Sequence, residues 1–275
     1  MVVFPIAKIN LGLYVTGKRS DGYHDIESIF YPIGLSDILE VVDRKEDHRG
    51  NLTIRFSGIP VDGDPDDNLV VKAFNLIRKS VPIPSVTVWL HKVIPTGAGL
   101  GGGSSDGSAM LVLLNRMFQL GFDQNRLHEM AMDLGSDCPF FVNPVPCLAK
   151  GRGEQLQPVK VNLEGFYLYL FHPGKGISTS LAYRNVLISK PDVPLDQMTG
   201  NPVNTWKGNL INAFEPYAIE QQSTIGEILS VINDSGALYS SLTGSGSAVF
   251  SLFDREIQVP EKIRSFLIWK QRLNA

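Results

Sequence analysis

The sequence is poor in cysteine, in charge of one sign and in long apolar runs, and each shortage removes a class of protein. Cys138 and Cys147 are the two cysteines among 275 residues. Two thiols outside any Cys-x-x-Cys pair build neither a disulfide framework nor a zinc ribbon, so a reducing compartment, the cytoplasm, is expected. Lys and Arg number 25 against 28 Asp and Glu, a net charge of -3, which excludes a strongly basic nucleic-acid binder and an acidic tail. No run reaches the roughly 18 apolar residues of a membrane span. The opening MVVFPIAKIN carries no basic stretch ahead of an apolar one, so no signal peptide is read there. Low-complexity tracts and solenoid-period repeats are missing as well. His48, His91 and His128 show no metal-ligand spacing and read as surface or packing residues. What is left is 43% hydrophobic and 19% charged, enough to bury a sizeable core in one large domain or two ordinary ones.

Short strand-like runs fill the first part of the chain. Residues 38–42 and 52–56 are rich in branched side chains, and 86–93 (VTVWLHKV) mixes β-branched and aromatic residues until Pro95 ends it. A helix follows, in which Ala109, Leu113 and Met117 recur at helical spacing, with capping oxygens expected from Ser104, Ser105 and Asp106 and a stop at Gly121. Asp123 opens a second helix that carries Leu127, Met130, Ala131 and Leu134 on one face and ends at Gly135. Pro and Gly recur over 143–165 and suggest a domain boundary there, dividing 1–150 from 151–275. Beyond it FYLYLF (166–171) reads as a buried strand and 190–208 as a loop that is a candidate for mobility. Ile225, Ile228, Leu229 and Ile232 mark one apolar helix face. Strands and helices do not alternate as a doubly wound sheet requires; α+β layers fit better.

The most informative stretch is Pro95-Thr96-Gly97-Ala98-Gly99-Leu100-Gly101-Gly102-Gly103-Ser104-Ser105-Asp106, at a strand-to-helix junction. A backbone without Cβ atoms lets a ligand approach closely, and the amides and dipole of a helix N-terminus favour an anion, phosphate above all. A Walker A loop is rejected because no lysine stands in the required place. Residues 97–102 satisfy G-x-G-x-x-G, but the dinucleotide-binding form needs a strand with an acidic residue after the helix, and here a second helix pattern follows.

The same stretch resembles the phosphate-binding motif of the GHMP small-molecule kinases. Three further segments resemble other motifs of that family, in the family's order: PIAKINL at 5–11, LGSDCPFF at 134–141 and LTGSGSAVF at 242–250. GKRSDGYH at 17–24 and His172-Pro173-Gly174 are similar to the subgroup that phosphorylates a cytidine-diphospho sugar alcohol in non-mevalonate isoprenoid synthesis. The resemblance implies a two-domain α+β GHMP kinase fold, with a ribosomal S5 domain 2-like N-terminal domain, a ferredoxin-like C-terminal domain and ligand between them. It implies ATP, with Mg²⁺ accompanying the triphosphate; no carboxylate pair is assigned to the metal, and Ser105 is a candidate ligand. Residues 95–105 would cradle the ATP phosphates.

For catalysis the resemblance points to Asp137 as the base and Lys8 as the charge that orients the hydroxyl and neutralises the γ-phosphoryl. Lys8 interrupts an otherwise apolar run, a place lysine seldom takes for packing. Asp137 would otherwise merely cap the turn before Pro139. Asn10, two residues on, shares the face of Lys8 in a strand and would bind substrate or orient Lys8. Tyr23 and His24 would hold the cytosine by stacking and hydrogen bonding, joined by Tyr183. Thr243, Gly244 and Ser245 would close over the phosphates; read alone they form a helix-to-strand turn. The alternatives are another GHMP kinase of homoserine, mevalonate or galactose type, and a catalytically silent nucleotide-binding regulator. The partners implied are small molecules, with no nucleic acid and no membrane.

Overall fold

The structure, a computed structural model, describes residues 1–44, 49–61 and 63–274; His48 lies outside them. In chain order the elements are β1 (Val2–Val3), β2 (Ile6–Lys18), β3 (His24–Ser36), β4 (Ile38–Asp43), β5 (Leu52–Gly58), α1 (Leu69–Ser80), β6 (Val86–Lys92), α2 (Gly102–Met117), α3 (Gln124–Leu134), α4 (Cys138–Val142), β7 (Cys147–Lys150), β8 (Gln155–Pro158), β9 (Tyr167–Phe171), α5 (Thr179–Asn185), α6 (Leu195–Thr199), α7 (Glu215–Gln221), α8 (Ser223–Asp234), β10 (Tyr239–Leu242), β11 (Val249–Phe253), α9 (Glu261–Arg264) and β12 (Leu267–Arg272). They form three four-stranded sheets, ordered β1-β4-β6-β5, β2-β3-β7-β8 and β10-β11-β9-β12.

Packing groups the chain into two units, and they interleave. One comprises Met1–Ala7, Gly34–Thr96 and Gly101–Pro144; the other Lys8–Ile33, Gly97–Leu100 and Val145–Ala275. A single cut near residue 150, expected from the Pro- and Gly-rich stretch, therefore differs from the grouping by contact. β2, β3 and the centre of the glycine-rich loop join the C-terminal part because they pack on it.

In the first unit β4 and β6 run antiparallel, with Ile38 opposite His91, and β5 runs parallel to β6, with Leu52 opposite Val86. The alternation of β6 puts Val86, Val88 and Leu90 inside. There they meet Val70, Phe74 and Ile77 of α1 and Met110, Leu111 and Leu114 of α2, the period-two and period-3.6 faces that a sheet-on-helix core needs. Asn68 caps α1 through Val70 N at 2.9 Å. Asp123 caps α3 through Arg126 N at 2.8 Å, as its sequence indicates. The cap of α2 differs from expectation. Gly101 is the N-cap, in the left-handed region at φ +74°, and no side chain caps the helix. Ser104, Ser105 and Asp106 lie inside its first turns, because the glycines begin the helix earlier than serine caps would.

In the second unit β9 lies inside its sheet between β11 and β12, and Leu168, Tyr169, Leu170 and Phe171 are fully buried. α8 buries the four residues that its spacing picks out, Ile225, Ile228, Leu229 and Ile232. Two readings change. Residues 243–248 join antiparallel strands β10 and β11, so they are a hairpin connection and not a helix-to-strand turn. The 190–208 stretch contains α6 and a 3-10 turn over Val203–Thr205, and buries Leu195 and Trp206. Its Pro, Asn and Gly content hid those two anchors. No helix among the described residues is long and apolar enough to cross a membrane.

Candidate active site

Lys8 and Asn10 stand on one face of β2 and are 3% and 1% exposed. A lysine ammonium is buried at a cost unless its protons are answered. Here Lys8 Nζ donates to Asn10 Oδ1 at 2.6 Å and to the Gly99 carbonyl at 3.1 Å, and stands 4.9 Å from the centre of the Phe30 ring. Lys8 is thus buried with its ammonium protons bonded. The Asn10 amide is oriented from its other end, where Nδ2 donates to Ser28 Oγ at 2.8 Å and that hydroxyl donates to the Gly12 carbonyl at 2.6 Å. Its Oδ1 also accepts from Gly244 N at 2.9 Å. The Thr243 hydroxyl proton has two acceptors in reach, Asn10 Oδ1 at 3.2 Å and the Gly99 carbonyl at 3.1 Å, and serves one at a time.

The centre of the glycine-rich loop is fixed by its backbone. Lys8 N donates to the Leu100 carbonyl at 3.0 Å and Ala248 N to the Ala98 carbonyl at 3.1 Å. Gly99 sits at φ +79°, and a Cβ there would strike the carbonyl of Thr243. Gly97 is also left-handed, at φ +65°, but a Cβ would meet nothing within 4 Å. Gly97→Ala therefore carries backbone strain alone, about 1–2 kcal/mol, while Gly99→Ala adds a collision of backbone on backbone. We expect Gly99→Ala to lower the melting temperature clearly more than Gly97→Ala; equal shifts in paired thermal melts would show that the Thr243 contact constrains nothing.

The hairpin after β10 is held by Asn212, a residue the sequence reading missed. It is 4% exposed, and its Nδ2 donates to the carbonyls of Leu242 and Gly244, each at 2.9 Å. Ser245 Oγ lies 3.2 Å from Thr179 Oγ1. The second unit thus brings together Lys8, Asn10, residues 97–100 and 243–245, with Ser28 and Asn212 as supports. Each support is an ordinary polar residue in its local sequence; its partners are remote in the chain.

Tyr23 and His24 follow the Asp21-Gly22 turn between β2 and β3. That turn is closed by Tyr23 N donating to Asp21 Oδ1 at 3.1 Å, and by Arg19, whose guanidinium bonds Asp21 and Asp25. The His24 ring stacks on Tyr183, with centroids 5.1 Å apart and planes 29° apart, and Phe214 meets Tyr183 edge-on at 4.8 Å. Tyr23 is 52% exposed, with the Arg152 guanidinium 4.1 Å from its ring centre. His24 and Tyr183, both named from sequence, thus meet, with Phe214 as an addition, while Tyr23 meets Arg152. These side chains offer flat faces and donors to a planar heterocycle.

Pro95, Thr96, residues 101–105 and Asp137 belong to the first unit. With Gly101 as N-cap, no side chain caps α2, and a helix start of this kind has amides and a dipole that favour an anion. Asp137 takes the N-cap position of α4, but its carboxylate makes no capping bond, so the capping role does not describe its side chain. Its neighbour Cys138 is a core residue. It is 0% exposed, its carbonyl accepts from Ser108 Oγ at 2.7 Å, and burial pushes its thiol up to about 11, so it stays protonated and inert. Among the described residues no group of three His, Cys, Asp or Glu side chains is placed to hold a metal. The one buried carboxylate pair, Asp37 and Asp106, is already paired with Lys92. The donor set does not fit a resident magnesium ion.

A buried lysine on β2 that donates to the backbone of a glycine-rich loop fits a small-molecule kinase. The family description GHMP kinases N terminal domain matches residues 68–143, and GHMP kinases C terminal matches 200–268. The 4-diphosphocytidyl-2-C-methyl-D-erythritol kinase of Bacteroides thetaiotaomicron is 42% identical over 95% of each chain. The enzyme of the same name from Parabacteroides distasonis is 40% identical over the full length of both. A crystal structure of 4-(cytidine 5'-diphospho)-2C-methyl-D-erythritol kinase superposes with a TM-score of 0.76 at 31% identity, covering 92% of this chain and 90% of that one. The chain belongs to the GHMP kinases, with their two-domain α+β fold, and within them to the 4-diphosphocytidyl-2-C-methyl-D-erythritol kinase family.

Proposed function

We propose that this protein transfers the γ-phosphoryl group of ATP to the 2-hydroxyl of 4-diphosphocytidyl-2-C-methyl-D-erythritol. The observation that carries the reading is the buried Lys8–Asn10–Gly99 network, in a chain whose relatives bear the name of that kinase along their whole length. An enzyme has reason to bury an ammonium against the backbone of a glycine-rich loop where negative charge must be gathered. The division into N- and C-terminal domains at about residue 150 accords with the two matched ranges, which lie on either side of it. The compartment is the cytoplasm, in keeping with two buried free thiols.

The substrate hydroxyl attacks the γ-phosphorus. The new O–P bond forms as the bond to the β–γ bridging oxygen breaks, ADP leaves, and the hydroxyl proton passes to the Asp137 carboxylate. Residues 97–105 hold the phosphates, the amides of Gly102 to Ser104 first among them, flanked by Pro95 and Thr96; the Ser105 amide is spent on the Gly101 carbonyl. Thr243, Gly244 and Ser245 serve the phosphates beside residues 97–100, with the Thr243 hydroxyl in reach of the Gly99 carbonyl. Lys8 offsets charge on the transferring group. Asn10, whose Oδ1 receives Lys8 and Gly244, serves by orienting Lys8. Magnesium enters as part of the nucleotide substrate, held by phosphate oxygens, since triphosphates travel as the metal complex and magnesium keeps most of its ligands from water and phosphate.

Tyr23, His24 and Tyr183 take the cytosine. Removing the Tyr23 ring takes away a stacking face worth roughly 1–3 kcal/mol per base. Tyr23→Ala is accordingly expected to raise KM for the cytidine substrate about 5- to 150-fold with ATP KM unchanged; an effect confined to ATP would contradict the assignment. The reading as a whole is tested by coupled ADP release with the cytidyl substrate, mevalonate, homoserine and galactose in parallel. Turnover of the cytidyl substrate alone supports it, and a preference for any of the other three replaces it.

A further inference from the structure

One cluster of buried charge in the first unit has no part in the chemistry above. Lys92, the last residue of β6, donates through Nζ to Asp106 Oδ2 at 2.6 Å and to Asp37 Oδ2, and all three side chains are 3% exposed or less. Asp37 is in the link between β3 and β4. Its other oxygen, Oδ1, accepts from Val93 N at 2.6 Å and Ile94 N at 2.8 Å, the two residues just ahead of Pro95. Asp106 lies one turn into α2, just after the loop. The start of that helix is pressed on the cluster: a Cβ on Gly102 would come within 2.9 Å of Ile94 Cγ2 and 3.3 Å of Lys92 Nζ.

We infer that Lys92, Asp37 and Asp106 are positioning residues for the phosphate loop, one buried ammonium fastening the strand that enters it to the helix that leaves it. The inference rests on the reading of residues 95–105 as the ATP cradle. Stability is a weak reason for the cluster, since buried ion pairs gain little over apolar packing. Its bonds instead converge on both flanks of one loop whose amides must be aimed. A displacement of about 1 Å in such groups costs up to 10²-fold in rate.

The two carboxylates are not equivalent. Asp37 uses both oxygens, one for two backbone amides and one for Lys92. Asp106 uses only Oδ2; its Oδ1 is buried with no hydrogen-bond partner. Burial, with Asp37 adding to it and Lys92 opposing, pushes the Asp106 carboxyl up to about 7, so this position tolerates a neutral group. An asparagine can therefore replace Asp106 with its oxygen on Lys92. At position 37 an asparagine has one acceptor for three donors and must release either Lys92 or the Val93 and Ile94 amides.

Steady-state kinetics of the full chain, varying Mg·ATP and the cytidine substrate in turn, with a thermal melt of each variant, test this. Asp106→Ala should raise ATP KM on the order of 10-fold while the cytidine KM stays within about 2-fold, and Asp106→Asn should return ATP KM to within about 3-fold of wild type. Asp37→Asn should behave like Asp106→Ala; should it not fold, the two Asp106 variants decide alone. Asp106→Ala that lowers only the melting temperature, or raises both KM values together, overturns the inference, as does Asp106→Asn no better than Asp106→Ala. These results leave the ATP reading intact. A wild-type chain that binds no ATP overturns that reading and this inference with it.

Discussion

Asp137→Ala is expected to abolish turnover while ATP binding stays nearly intact. A positioned base contributes about 10²–10⁴-fold, and kcat should fall by that order. The fold is expected to survive, because side chains other than Asp137 hold α4 in place. α4 is anchored by Cys138, Pro139, Phe140 and Phe141, all buried, and by the Ser108 hydroxyl on the Cys138 carbonyl. ATP affinity measured by calorimetry, beside kcat from ADP release, separates the two roles. Loss of both in proportion would return Asp137 to a structural part. Asp137→Asn, which keeps shape and loses the base, should be nearly as inactive.

The second large effect is on Lys8. Lys8→Ala should lower kcat on the order of 10²-fold or more, if electrostatic stabilisation of the transferring phosphoryl is its work. Such a loss does not require collapse of the site. Without the ammonium, Asn10 keeps Ser28 on its nitrogen and Gly244 N on its oxygen, and the Gly99 carbonyl keeps the Thr243 hydroxyl. The melting temperature should therefore change little, and Lys8→Met, which fills more of the space, should change it less. An unchanged kcat removes Lys8 from the mechanism. A fall in kcat tracked by an equal fall in stability assigns Lys8 to the scaffold.

Local pattern carried much of this protein. Alternating branched and aromatic residues placed β4, β5 and β6 within a residue or two. Helical spacing placed α3 and α8 with the buried faces they have, and FYLYLF became the inner strand β9. These features were legible because alternation at two and recurrence at 3.6 are properties of neighbouring residues, and burial follows from them. The glycine-rich loop was legible for a similar reason, since its role resides in the backbone. The cap of α2 was misread because serine at a helix start usually marks the boundary, whereas here left-handed Gly101 starts the helix sooner.

By itself the sequence determined the α+β class, the principal strands and helices, the glycine-rich loop at a helix start and the family to which its motifs point. Only the tertiary structure decided what those residues rest on. Ser28 behind Asn10, Asn212 under the hairpin, Arg152 over Tyr23 and the Asp37–Lys92–Asp106 cluster join positions up to 233 residues apart when Asn10 and Thr243 are included. It also decided that β2, β3 and residues 97–100 pack with the C-terminal part of the chain. Hydrogen bonds and ion pairs of this kind form between groups that chain folding brings within about 3 Å, and no short-range periodicity records which distant partner each polar side chain will meet.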